Sequence, residues 1–557
     1  MLVLLMLVAT AWSAELDCRG KAVVQEDPGK GAWCVIERHD GTSYKQGPTQ
    51  GVYRNGALRW EGAYRLDERS GPWTFWYESG AIEMEGRFSD DREEGRWTFW
   101  SESGHKVREG LFVEGKEEGV WTWWHPDGTL WKRGEYRAGV MTGEWTLWSK
   151  DGTREVGRFR SGDRDGLWTE YTTTPEGLEI KHTEAEYHAG RRDGHWIEHA
   201  ITGLKIVEGE FDRGVESGHW TWYYDTGEVR EQGSFNLGMK DGTWTQFTKR
   251  GEKITEGDFL AGKESGLWKT WNDDGTLQTQ GPYRLGVREG EWTRWYDTGQ
   301  LLSRGSWADG LRDGEWTRWH ANGQTLSQGA YSRGVEVGAW SSWFNDGQLQ
   351  RKGSYEGGRY TGQWEEFHPN GTLASRGSYE GGQQVGEWTT WHDDGTKASV
   401  SHWIAGEDDG LYTAWYPGGA KQEEGRYQHG ERVGTWRTWS DSGHLSSQGD
   451  YLGGKRSGQW TWWHDNGAVS REGRYEAGAE TGPWITYHPN EEMASKGDYC
   501  EGALCGHWTF WYDNGKKERE GEFREGQAAG RWTWWTAEGR PDPSRTGTYE
   551  GFHRVGP

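Results

Sequence analysis

The sequence predicts an all-β fold, an elongated repeat array of antiparallel β-hairpins forming one twisted or curved single-sheet ribbon. Three observations predict it. A Gly-x-Trp motif recurs at Trp73, Trp97, Trp121, Trp145, Trp168, Trp196, Trp220, Trp244, Trp268, Trp292, Trp316, Trp340, Trp364, Trp388, Trp436, Trp460, Trp484, Trp508 and Trp532, with Tyr412 in place of one. The interval is 24 residues almost everywhere, the exceptions being 23 and 28 around Trp168, which gives about twenty copies. A fixed period of this size marks a repeat array. Copies open with Trp-Thr-x-Trp or a variant of it, mostly aromatic and β-branched as strands prefer. Each also carries a turn such as Asp127-Gly128, Asn322-Gly323 or Asn466-Gly467, suited to hairpins. No stretch between glycines is long enough for a stable helix.

In chain order, Leu2 to Ala11 is apolar and is followed by the small residues of Ala11-Trp12-Ser13-Ala14. Residues 1–14 therefore read as a signal peptide. Residues 15–46 read as an N-terminal cap with a degenerate repeat, in which Gly31-Ala32-Trp33 and His39-Asp40-Gly41 echo the unit. The array spans 47–540, and 541–557 is a C-terminal partial repeat, with Pro541 and Pro543 expected to blunt the last edge.

Within a copy, Trp121 to Trp124 forms one strand and Leu130 to Tyr136 the other. Gly115 to Gly119 reads as a charged connecting turn. Strand alternation puts Leu130, Gly134 and Tyr136 on one face. The mid-strand glycines Gly134, Gly353 and Gly473 leave a gap that a neighbouring ring can fill. The first-position tryptophans, represented by Trp73, Trp97, Trp121, Trp145, Trp220, Trp244, Trp292, Trp316 and Trp460, are read as structural. Trp121 and Trp124 differ in parity, so either both faces are aromatic or a bulge rotates one ring. Departures stand at Ala185 and Ser401, which replace mid-strand Gly, and at Glu491, which replaces a turn Gly. A lone hairpin is marginal in water, so each copy needs its neighbours.

The 557 residues include 43 Trp, 24 Tyr and 14 Phe, which supply the buried area that a 32 % hydrophobic content would otherwise lack. The net charge of −24 disfavours nucleic acid and anionic membrane surfaces. No later segment is apolar enough to span a bilayer. Four cysteines suit an exported chain. A Cys18–Cys34 bridge would fix the irregular N-terminal end. Cys500 and Cys505 flank a turn, and a bridge between them needs its two arms to pair.

The frame Gly-x-Trp-Thr-x-Trp-x-x-x-Gly, followed by Gly-x-Tyr-x-x-Gly-x-x-x-Gly, resembles the MORN-repeat variant of YwqK-like bacterial proteins, often labelled toxin–antitoxin antitoxins. The likeness covers about residues 47–540. It implies a MORN-type meander of hairpins used for binding or scaffolding, with no catalytic residues to carry over, and the antitoxin label implies a toxin partner.

No catalytic set, metal site or cofactor site emerges, so the chain reads as a non-enzyme. His125, His320, His368, His392, His464 and His488 share one repeat position. Copies lie about 10 Å apart, two strand spacings, too far for neighbouring histidines to share a zinc ion. They read as surface histidines at strand ends. Acidic turns such as Asp163-Arg164-Asp165 lack calcium-loop spacing. The residue between the two Trp of a strand varies between copies, which suggests exposure. Phe75, Phe99, Trp123, Trp222, Trp462, Phe510 and Trp534 occupy it and are the candidate ligand-binding aromatics. The leading expectation is an exported scaffold, periplasmic or extracellular, that binds a protein partner through its aromatic sheet surface. The alternatives are a cell-wall or other glycan ligand and an antitoxin-like role.

Overall fold

Within each unit of the chain, strands pair with near neighbours in chain order. The computed structural model describes residues 17–18, 23–27 and 31–557, so the expected signal peptide lies outside the described residues. Among the described residues there are 49 strands and no helix. The chain divides into two units, Met1–Gly275 and Thr276–Pro557. Each is an antiparallel meander of the same hairpin.

In the first unit, the strand Lys116–Trp124 pairs with Leu130–Arg137, which pairs in turn with Val140–Trp148. Two kinds of turn alternate. The loop between His125 and Thr129 closes when the His125 N–H donates to the Thr129 carbonyl and the Gly128 N–H donates to the His125 carbonyl. Gly128 alone in that loop is left-handed, with φ 88°. The other connection is shorter than the sequence suggests. Glu114 and Gly115, with φ 50° and 75°, form a two-residue turn, and Lys116 already pairs with Val113. Two positive φ angles give the mirror-image turn that matches strand twist. The stretch read as a turn through Gly119 is thus mostly strand.

Gly119 serves a different purpose. Its φ of 64° bulges the strand. Glu118 pairs with Leu111 and Thr122 with Glu109, so Gly119, Val120 and Trp121 together face Gly110. The bulge lays the Trp121 ring flat on Gly110, where any Cβ would collide with ring carbon Cδ2. It also exposes the Leu111 carbonyl, which accepts the indole N–H at 3.0 Å. Phe112 then packs edge-on against the ring, centroids 4.8 Å apart. Gly-x-Tyr/Phe is therefore a receptor for one indole: the glycine makes room, the next carbonyl takes the N–H, and the aromatic walls the side. The indole always comes from the following copy. Trp145 sits on Gly134 this way in the first unit and Trp364 on Gly353 in the second, while Trp484 lies on Gly473 with its indole N–H unpaired. Burying 150–250 Å² of indole contributes about 4–6 kcal/mol before entropy is subtracted.

The departures obey the same geometry. Ala185 keeps Trp196 off the strand, and that ring lies instead against Trp220, centroids 5.6 Å apart. Ser401 has a smaller ring opposite it, Tyr412, which is shifted likewise against Trp436 at 5.9 Å. The Ser401 hydroxyl instead accepts the Trp403 indole N–H at 2.7 Å. Glu491 adopts the left-handed turn conformation, φ 68°, that glycine takes elsewhere.

At the N-terminal end, Gly31–Glu37 pairs with Ser43–Val52, and the Arg38 to Thr42 loop repeats the array's own turn. Cys18 and Cys34 are disulfide-bonded, with Cys34 buried. At the C-terminal end, Pro541 and Pro543 stand in a loop and do not blunt the edge. Two strands follow them, Gly547–Glu550 and His553–Gly556, and the first pairs with Gln527–Trp534. Arg554 lies over Gly547, where tryptophans lie over the other mid-strand glycines.

Gly353→Ala should displace Trp364 as Ala185 displaces Trp196, costing about 1–3 kcal/mol by overpacking. Adding Trp364→Tyr should recover part of that loss, since the chain already pairs Ser401 with Tyr412. Urea unfolding of the wild type, both single variants and the double variant measures this, and additive losses would refute the receptor geometry. Separately, Glu491→Gly should raise stability by about 1 kcal/mol by relieving a left-handed L-residue.

Candidate functional site

The bulge settles the parity problem. Trp121 and Trp123 share one face, while Trp124 follows a second register shift and falls on the other. The first-position tryptophans and the middle-position residues thus form one row. Where the middle residue is aromatic, the row becomes a continuous stack. In the first unit it runs Trp73, Phe75, Trp97, Phe99, Trp121, Trp123, Trp145, with adjacent centroids 5.7–6.5 Å apart. Trp222 bridges Trp220 and Trp244 in the same way. In the second unit Trp462 bridges Trp460 and Trp484, and Phe510 bridges Trp508 and Trp532.

The expected exposure of the candidate aromatics is therefore corrected. Trp123 is only 7 % exposed, and Phe75, Phe99, Trp222, Trp462, Phe510 and Trp534 are half-buried. Free variation at this position reflects the fact that its neighbours tolerate a gap there. Several of these rings also carry a cation on the outer face. The cation lies 4.1 Å from the ring centre for Arg108 on Phe99, 4.5 Å for Lys132 on Trp123, 4.0 Å for Arg471 on Trp462 and 4.1 Å for Arg519 on Phe510. Trp534 has Arg545 at 3.7 Å. Such contacts contribute about 0.5–2 kcal/mol, more when water is excluded. Burial, and then the Arg108 charge, push the Lys132 ammonium below its ordinary value. What solvent meets on this face is mainly guanidinium and ammonium laid on aromatic rings.

The histidine row is half-buried and structural, which corrects its reading as surface decoration. Nε2 of His125, His320, His368, His392, His464 and His488 lies 2.9–3.1 Å from the backbone carbonyl of Trp148, Trp343, Trp391, Trp415, Tyr487 and Trp511. Each acceptor belongs to the next copy. Tyr53, Tyr77, Tyr296, Tyr416 and Tyr512 make the same link through their hydroxyls. Both residue types deliver a donor at the same reach, which is why they exchange. A parallel ladder joins the turns, for example from Asn370 Nδ2 to the Asp393 carbonyl at 2.6 Å.

Cys500 and Cys505 are disulfide-bonded across the Glu501–Gly502 turn, and among the described residues no cysteine is free. Among the same residues no three His, Cys, Asp or Glu gather to hold a metal ion, and no helix is long and apolar enough to cross a membrane. One carboxylate stands out. Asp408 occupies the place from which Arg432 covers Trp436 at 3.9 Å. Its Oδ1 is buried without a hydrogen-bond partner, and burial raises its pKa above the ordinary carboxylate value.

These features define a repeat β-hairpin scaffold whose surfaces are built by periodicity. Residues 117–138, 216–237, 288–309, 312–332, 336–356, 360–380 and 504–525 match the family described as MORN repeat variant. Each matched segment runs from one two-residue turn to the next, so the family's unit is the hairpin described above. Over these segments the chain is similar to that family's repeat. No curated protein matches the chain.

His368→Tyr should be nearly neutral and His368→Ala should cost about 0.5–1.5 kcal/mol, the net worth of one hydrogen bond. Urea unfolding of the two variants compares them. Asp408 is held with a raised pKa, so its contribution to stability is present below the unfolded-state carboxylate pKa and is lost as pH rises through the folded one. Asp408→Asn should then stabilise the protein at neutral pH and remove that slope, read from melting temperatures across the acidic range.

Proposed function

We propose that this chain is a non-enzymatic, exported repeat scaffold that binds a protein partner through its aromatic sheet face. The carrying observation is the row of stacked rings under guanidinium and ammonium groups, repeated along both units without a metal cluster or free thiol among the described residues. Aromatic and arginine side chains are the residue types that dominate protein interfaces. The two disulfides support an oxidising compartment. The antitoxin label attached to similar proteins would place a toxin on this face. A glycan ligand is the second reading, favoured by the half-exposed indoles.

Affinity capture with the purified chain from periplasm and from culture fluid tests the main reading. One partner should be retained at low salt and lost when Arg471 and Arg519 are replaced by Gln; repeated recovery of nothing specific would sink it. Sedimentation with peptidoglycan decides the glycan alternative. Thiol alkylation of protein taken from the exported fraction, without reductant, should label none of the four cysteines. Full labelling would put the chain in a reducing compartment.

A further inference from the structure

The ring row of the second unit opens into a cavity beside Ser342. Ser342 is the middle residue between Trp340 and Trp364. Its cross-strand neighbours are Ser327 and Arg351. Five 24-residue periods further on, Trp462 lies between Trp460 and Trp484, with Ser447 and Arg471 across from it. The two positions have the same pair of cross-strand neighbours and differ in whether an indole stands between them. In the filled copy that indole stacks at 5.4 Å and 5.7 Å on its two neighbours, at angles of 27° and 30°, and Arg471 covers it at 4.0 Å. In the open copy a cavity of about 300 Å³ takes its place, lined by Trp340, Trp364, Tyr331, Tyr355, Arg351 and Glu336 among others. Trp340 is half-buried, whereas Trp460 is 2 % exposed. Arg351 lies 5.8 Å from the Trp364 ring centre, as Arg471 lies 5.7 Å from that of Trp484, and it reaches the Tyr360 hydroxyl at 3.2 Å.

We propose that the Ser342 bay is a receptor for one planar aromatic ring, supplied as a protruding tryptophan side chain of the protein partner. This rests on the reading of the chain as a protein-binding scaffold. The occupant follows from the fold's own solution to the same space. A flat ring is sandwiched between two indoles and covered by a guanidinium at Trp462, and the open bay keeps all three groups. Rings also move into this row from outside their usual seat, as Trp196 and Tyr412 do beside Ala185 and Ser401. The volume lies at the small end of ligand pockets, where one bicyclic ring fits. Its walls set the rings of Trp340, Trp364, Tyr331 and Tyr355 beside the charged groups of Arg351 and Glu336, the mixture of aromatic surface and a few placed polar groups that ligand sites use. Glu336 stands where the filled copy has Arg456, which lies 5.6 Å from the Trp462 ring centre. The open bay therefore has a carboxylate acceptor within reach of an indole N–H.

The test uses the full chain, with fluoroindole followed by fluorine NMR and N-acetyl-tryptophanamide as a competitor. Saturable binding is expected. Ser342→Trp, which copies the folded arrangement at Trp462, should weaken binding by more than tenfold. Arg351→Gln should weaken it about fivefold, equivalent to one cation–π contact of about 1 kcal/mol. N-acetyl-leucinamide should not compete. Absence of saturable binding, or binding unchanged by Ser342→Trp in a variant with wild-type circular dichroism, overturns the proposal. Tighter binding of free indole than of N-acetyl-tryptophanamide overturns the protein source. Partner capture by wild-type protein concerns the scaffold reading alone, so the two can fail separately.

Discussion

The structure depends on one contact, a tryptophan ring laid on a glycine of the preceding copy. Everything periodic in the sequence serves it. The glycine removes the Cβ that would strike the ring. The bulge at the Gly of Gly-x-Trp turns the indole inward and frees a carbonyl for its N–H. The aromatic two residues after the receptor glycine closes the side. The donor and acceptor of this lock belong to successive copies, so a copy alone holds an empty receptor and an unseated ring. That makes stability a nearest-neighbour property, as expected for repeat arrays. The histidine or tyrosine link and the asparagine link add further bonds between the same neighbours, at the other end of the hairpin.

The lock also explains how a chain with few aliphatic residues can hold a core. The buried groups form two aromatic clusters, one around Trp73 to Trp168 and one around Trp460 to Trp508. Between copies the rings alternate edge-on and stacked contacts, the arrangements their charge distribution favours. Cations complete the outer layer where a hydrophobic cover would otherwise be needed. A strongly acidic protein thus places part of its positive charge on its ring row.

The sequence made the fold legible because the period, the turns and the strand composition all pointed to one hairpin. The gap at Gly134 was legible too, since a strand rarely gives up a side chain without a reason. The bulge was not, because Gly119 looks like the end of a turn until its register is known. Variation alone suggests exposure of the middle residue, although alternation already puts Trp123 on the side of Trp121, where it belongs to the stack. The histidines escaped for a related reason. Their acceptors are backbone carbonyls of the next copy, which carry no residue signature. Exchange with tyrosine was the available signal, since the two side chains share a donor at similar reach. The Cys500–Cys505 pair follows from the hairpin once its two-residue turn is known.

Specificity in such an array has to come from departures, because the lock recurs with little change through most copies. Identical copies offer a partner many equivalent registers and so none in particular. A partner that stays in one place needs a landmark. The middle position supplies one, since it lies between two seated rings and contributes nothing to the lock. Aromatic residues there close the row, and a small residue opens it without unseating either neighbour. Trp340 keeps its indole bond to the Ala330 carbonyl, 3.1 Å, although its face is uncovered at Ser342. The scaffold can therefore vary its landmarks at this position at little cost to the structure, which separates what holds the array together from what makes one stretch of it different from the next.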